Sequence, residues 1–215
     1  MIFLIFSSID FLLWFLPIFL IVYGITPRKY RNLTLLVGSI VFYARGDVRY
    51  LPLLMISILC NYFLGLHLAK RSPKTLWRKK LLLILTLGAN LAVLLWFKDW
   101  GGSAGLPLGI SFYTFQILSY QIDVYRGEVS REYSFLKFAT YVIMFPKLIS
   151  GPITRYGDIS DSLTERTFTV RGLEDGMKLF ILGLAAKVLL ADRVGILWHE
   201  VQVTGFESIS TPLAW

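Results

Sequence analysis

A single cysteine, Cys60, leaves no partner for an intrachain disulfide and no cluster for a thiolate metal site. It lies inside an apolar block and reads as a small buried hydrophobe. Histidine is almost as scarce, with only His67 and His199. There is no GxSxG, HExxH, P-loop or paired-cysteine motif, so the usual hydrolase, zinc-protease and nucleotide-phosphate templates do not apply. Charge is thin as well. Only 17% of residues are Asp, Glu, Lys or Arg, where about 25% is usual for a soluble domain.

What fills the chain instead is apolar. Of 215 residues, 55% are hydrophobic and 15% aromatic, and the mean hydropathy is +0.62. These values describe an integral membrane protein. The net charge of +8 does not point to nucleic acid, because its positions are wrong for that. Arg28, Lys29 and Arg31 follow the first apolar block, and Lys70, Arg71, Lys74, Arg78, Lys79 and Lys80 lie between the third and fourth. Basic clusters confined to alternate loops mark cytoplasmic membrane loops, and no basic face alternates with exposed aromatics.

A membrane-crossing helix needs about 20 residues. Four blocks approach that, near 9–25, 30–44, 50–69 and 81–97. The N-terminal stretch MIFLIFSSIDFLLWFLPIFLIVYGI lacks a basic start and a small-residue cleavage site, and reads as a retained first span. The short second block crosses if protein neighbours or local thinning help it. Crossing also puts both basic loops on one side, as the positive-inside rule requires, with the N-terminus outside and 70–80 in the cytoplasm. Between the spans, 45–49 nets +1 (Arg45, Asp47, Arg49) and 98–103 is neutral (Lys98, Asp99). The fold class is all-α, a polytopic transmembrane helical bundle.

After the flexible GGSAG the pattern loosens. Apolar segments near 106–125, 134–150 and 174–195 are interrupted by Lys137, Pro146, Lys147, Pro152 and Lys187, with a polar loop expected over 154–172. Short, proline-broken, charged helices at membrane depth persist against protein or a water-filled cavity. They read as tunnel-lining or re-entrant elements.

The 106–125 segment carries the sharpest pattern. On a helix, Tyr113, Gln116, Tyr120 and Asp123, with Gly109 and Gly127, share an arc of about 80°. Phe115, Leu118 and Ile122 lie opposite, and Gln121 lies outside the stripe. One reading is structural: small residues permit close helix packing, and the polar groups hydrogen-bond neighbours. The other is functional: Tyr113, Gln116, Tyr120 and Asp123, with Ser111 and Arg126, line a polar substrate path. Asp123 is also spaced to pair with Arg126. His67 reads as an interfacial residue, and His199 as part of a loop or interfacial helix.

LPLGISFYTFQILSYQIDVYRG (106–127) followed by MFPKLISGPITRYGDI (144–159) resembles the membrane-bound O-acyltransferase family, in its branch of alginate O-acetylase-type polysaccharide acetyltransferases. KYRNLTLLVGSIVFYARGD (29–47), NYFLGL (61–66) and KLFILGLAAKVLLAD (178–192) continue the likeness over essentially the whole chain. The resemblance implies a ring of tilted helices around a tunnel, multi-pass in the bacterial inner membrane. It implies acetyl transfer from a cytoplasmic donor, acetyl-CoA or another acyl donor acting as co-substrate, to hydroxyls of an exported polysaccharide. No bound cofactor or metal is implied. The implied partners are the lipid bilayer, the polysaccharide acceptor and a periplasmic acetylation partner protein.

The family's histidine belongs to a WRxWH-type segment that this sequence does not contain, so no catalytic residue is assigned and neither His67 nor His199 inherits the role. The chain is similar to an amino-terminal half, expected to be inactive alone. A non-catalytic scaffold for a periplasmic partner and a transporter fragment are the alternative readings.

Overall fold

The computed structural model describes residues 8–68, 76–100, 105–149, 151–166 and 169–204. Lys70, Arg71, Lys74 and the GGSA of the flexible break lie outside the described residues. Every regular element among the described residues is helical. The chain divides into two units, a larger one over Phe15–Arg166 and a smaller one that includes the residues after Arg166.

The larger unit begins with α1 (Leu16–Ile25), with Pro17 at its second position. It closes where Thr26 turns its backbone extended and gives both its amide and its hydroxyl to the Val22 carbonyl. α2 (Arg31–Asp47) and α3 (Leu51–Leu68) follow. They are separated by an extended Asp47, at φ −158° and ψ 75°, and a short 3-10 turn. α2 therefore runs three residues past the apolar block that the sequence outlines. α4 (Leu76–Leu95) continues into a π-helical turn, Trp96–Trp100. Two stretches, Arg28–Leu68 and Trp77–Asp99, are long and apolar enough to cross a membrane. The first of them is broken at Asp47.

α5 (Ile110–Arg126) sits at the centre, packed by α3, α4, α6 (Phe135–Ile143), α7 (Phe145–Leu148) and α8 (Tyr156–Thr164). Gly109 and Gly127 bound it, both left-handed, at φ 67° and 79°. L side chains rarely take this conformation, and at Gly127 the amide closes back on the Asp123 and Val124 carbonyls as a C-terminal cap. At Gly109 a second constraint acts: a Cβ there would run into the Leu148 carbonyl at the end of α7. The glycine is what lets the start of α5 rest on α7.

α8 corrects the polar loop expected over 154–172. YGDISDSLT is poor in helix formers, yet it folds because both ends are held. Tyr156 and Leu163 are buried. The Asn32 amide donates to the Leu163 carbonyl at 2.8 Å, and Arg166 donates to Asn32 Oδ1 (2.7 Å), the Tyr23 hydroxyl (2.6 Å) and the Ser162 carbonyl (2.7 Å). Tertiary contacts override weak propensity.

The smaller unit contains α9 (Val170–Ala185), a π-helical turn (Ala186–Ala191) and α10 (Asp192–Thr204). The Thr169 side chain caps α9 by accepting from the Gly172 amide at 3.1 Å. Lys187, the charge that interrupts the apolar run, pairs with Asp192 across the π-turn.

Candidate functional site: a polar seam along the central helix

The sequence's stripe lands on a largely buried, central helix of the larger unit. Tyr113, Gln116, Tyr120 and Asp123 are each at most 4% exposed, while Ser111 is half-buried and Arg126 lies at the surface. The opposite face is less open than its apolar residues suggest. Leu118 is buried and only Phe115 is exposed, because neighbours cover α5 on almost every side. Gln121, outside the stripe, is fully buried and donates to the Asn61 carbonyl at 2.7 Å. The pairing of Asp123 with Arg126 does not form. Arg126 turns to Glu128 at 3.6 Å, which leaves the carboxylate inside.

Five buried side-chain atoms among the described residues have no protein hydrogen-bond partner: Tyr43 Oη, Tyr113 Oη, Gln116 Oε1, Gln121 Oε1 and Asp123 Oδ2. Four of the five belong to α5. Leaving a buried donor or acceptor unpaired costs about 1–3 kcal/mol, so native interiors keep few of them. Here they concentrate on one helix. From Tyr113 to Asp123 the seam rises about 15 Å, half of a hydrocarbon core about 30 Å thick.

Beside this seam stand groups the stripe did not include. Tyr141, on α6, holds its hydroxyl 2.9 Å from the Thr154 carbonyl and 3.3 Å from the Gln116 carbonyl, sharing one proton between them. Lys147, on α7, places its ammonium 4.0 Å from the centre of the Tyr141 ring and donates to Thr154 Oγ1 at 3.2 Å. Tyr156 contacts both Tyr120 and Tyr141 edge-on, at 5.2 and 5.1 Å between ring centres, and donates to Glu132 Oε2 at 2.5 Å. Glu132 also accepts from the Ser134 amide through Oε1 (2.7 Å), and its own amide donates to the Tyr120 hydroxyl (3.0 Å).

Burial, together with the bond to Glu132, pushes the Tyr156 phenol above its ordinary range. Lys147 is buried too. The sequence signal for Lys147 was its place in an apolar, proline-broken run. Tyr141, Thr154 and Tyr156 carried none, because only the folding of α6, α7 and α8 against α5 brings them together.

The two histidines stand apart from the seam. His67 Nδ1 is 2.8 Å from the Phe63 carbonyl of its own helix, and His199 lies on α10. No group of three or more His, Cys, Asp or Glu side chains among the described residues could hold a metal ion.

The comparisons with known proteins agree with the geometry's setting. A "Probable alginate O-acetylase AlgI" of Pseudomonas putida is 38% identical over 213 residues, covering 90% of this chain and 44% of its own length. That of Pseudomonas aeruginosa is 38% identical over 214 residues, covering 90% and 41%. The chain belongs to the membrane-bound O-acyltransferase family. A peptidoglycan O-acetyltransferase of Helicobacter pylori adds 31% identity over 88% of this chain and 45% of its own. A teichoic acid D-alanyltransferase of Streptococcus thermophilus matches only 41% of the chain. The chain spans less than half the length of these curated relatives. No protein-family model matches it, and no solved structure does.

Proposed function

We propose that this chain forms part of a membrane-embedded O-acetyltransferase that passes acetyl groups from a cytoplasmic acyl donor to hydroxyls of an exported polysaccharide such as alginate. The observation that carries the reading is the concentration of unpartnered buried polar atoms on α5. Tyr113 Oη, Gln116 Oε1 and Asp123 Oδ2 lie within one face of one helix. Purely structural polar groups between helices pair with each other, as Asn61 and Asn90 do here. Groups that serve a passing polar substrate keep their acceptors open.

In this reading the larger unit is lipid-embedded. Its spans carry exposed apolar side chains such as Val37, Val41, Ile56, Phe63, Ile84 and Leu85, which suit contact with acyl tails better than water. The chain is multi-pass in the bacterial inner membrane, its N-terminus outside, and the basic residues Arg78, Lys79 and Lys80 on the cytoplasmic side. Proton transfer at the sugar hydroxyl falls to an imidazole outside these 215 residues. The seam's work is to solvate and orient the transferred group. Gln116 and Asp123 offer acceptors to hydroxyl or amide protons, and Tyr113 offers a donor to a carbonyl oxygen.

The test is alanine at Gln116 and at Asp123 in the full-length enzyme. Each should lower polysaccharide acetylation about tenfold or more, the cost of one oriented, buried polar contact, while expression and folding hold. Wild-type acetylation in both variants would return the seam to a packing role. The 215-residue chain alone should not transfer acetyl above a no-protein control.

A further inference from the structure

The seam's least explained member is Lys147. It is 9% exposed, it takes part in no salt bridge among the described residues, and its polar contacts are a neutral hydroxyl, Thr154 Oγ1, and the face of Tyr141. Taking an ammonium out of water costs several kcal/mol. One hydroxyl and one aromatic face return only part of that. Asp123 and Asp158 are within electrostatic reach of Tyr141, whereas Lys147 has only the Thr154 hydroxyl and the Tyr141 ring beside it. Buried cations are ordinarily paired, and no acid among the described residues forms a salt bridge with this one.

Its position is fixed rather than incidental. The turn carrying Lys147 follows Met144 with Pro146 in its first residues. The Leu148 carbonyl just beyond presses on Gly109 at the start of α5. The Phe145 amide donates to Ser39 Oγ on α2 at 3.1 Å. On the neighbouring helix, Gln116 Oε1 is buried without a partner, and its own carbonyl is joined to Tyr141. A cation lacking a counter-ion thus stands beside a polar seam lacking partners.

We infer that Lys147, together with the Thr154 hydroxyl and the Tyr141 ring, is an anion-binding site inside the protein that takes an oxyanion, a phosphate or a carboxylate, from a ligand entering along the α5 seam. Lys147 supplies the charge and Thr154 a hydrogen bond, while Tyr141 holds the ammonium on the seam side of α7. An anion seated there would restore the charge that burial disfavours. Two sources carry this chemistry: the phosphates of an acyl donor and the carboxylates of an acidic sugar. The inference deepens the acetyltransferase reading but does not need turnover to be tested.

The measurement is thermal unfolding of the purified full-length enzyme in nanodiscs, titrated separately with pyrophosphate and with glucuronate at constant ionic strength. One of the two should raise Tm saturably. Lys147→Met, which keeps the volume and removes the charge, should weaken that anion about tenfold or more and should leave the anion-free Tm equal or higher. Thr154→Val, with the lysine retained, should weaken it several-fold, and it decides the matter alone if the Lys147→Met protein does not fold. A response to pyrophosphate assigns the site to the donor, and a response to glucuronate to the acceptor. No saturable response to either anion, or unchanged affinity in the variants, would overturn the site. Neither result depends on whether the full-length enzyme transfers acetyl.

Discussion

Asn61 and Asn90 make the most complete polar contact between two of the longest helices. Each amide donates to the other's carbonyl, at 3.0 and 2.9 Å, and each also caps back on its own helix, to the Ser57 and Thr86 carbonyls. Gln121 then donates to the Asn61 backbone carbonyl, tying α5 to the same residue. Polar contacts of this kind contribute about 0.6–2 kcal/mol each in a bilayer. Leucine at Asn61 or at Asn90 should therefore lower the unfolding free energy by about 1–2 kcal/mol. Because the two are one contact, the double variant should cost clearly less than the sum. Denaturing-detergent titration of the four proteins measures the coupling, and strict additivity would refute the pairing. None of this was legible in the sequence. Both asparagines sit in apolar runs, and only the register of α3 against α4 shows that they meet. The same limit explains Asp123, whose spacing suggested Arg126. The exposed guanidinium had an equally near acid in Glu128, and Asp123 Oδ2 has no hydrogen-bond partner among the described residues.

At the scale of elements, the polar periodicity of 109–127 was readable because a helix repeats every 3.6 residues whatever surrounds it. The sequence put Gly109 and Gly127 in the same stripe, and the structure gives them a different task, as the two left-handed ends of α5. Alanine at either should destabilise the fold by about 1–2 kcal/mol for the backbone alone. Gly109→Ala should cost clearly more than Gly127→Ala, because its Cβ also meets the Leu148 carbonyl. Equal losses in thermal unfolding would mean that α5 does not rest on α7 as described. α8 escaped the sequence because its helix is held from outside, by Asn32, Arg166 and two buried side chains. The enclosure of α5 escaped it for a related reason. A periodic pattern shows which residues share a face, but not how many faces neighbours will cover.

For the whole molecule, the all-α character and the apolar spans followed from composition and length. Which side each loop faces rests on the charge asymmetry and is a matter for experiment. In a Cys60→Ala background, cysteine at Arg49 should react with a membrane-impermeant thiol reagent from outside intact cells. Cysteine at Lys79 should react only after the inner face is opened. The same side for both would undo the proposed threading of α2 and α3.

The central claim is that the α5 seam is the wet, substrate-facing side of a lipid-embedded protein. It is tested most directly by single cysteines at Gln116, Asp123 and Phe115 in the Cys60→Ala protein, reacted in nanodiscs with a small hydrophilic methanethiosulfonate. The account predicts modification at 116 and 123, through the seam, and none at 115, whose exposed side chain faces acyl tails in the proposed setting. Reaction at 115 with protection at both 116 and 123 would contradict it.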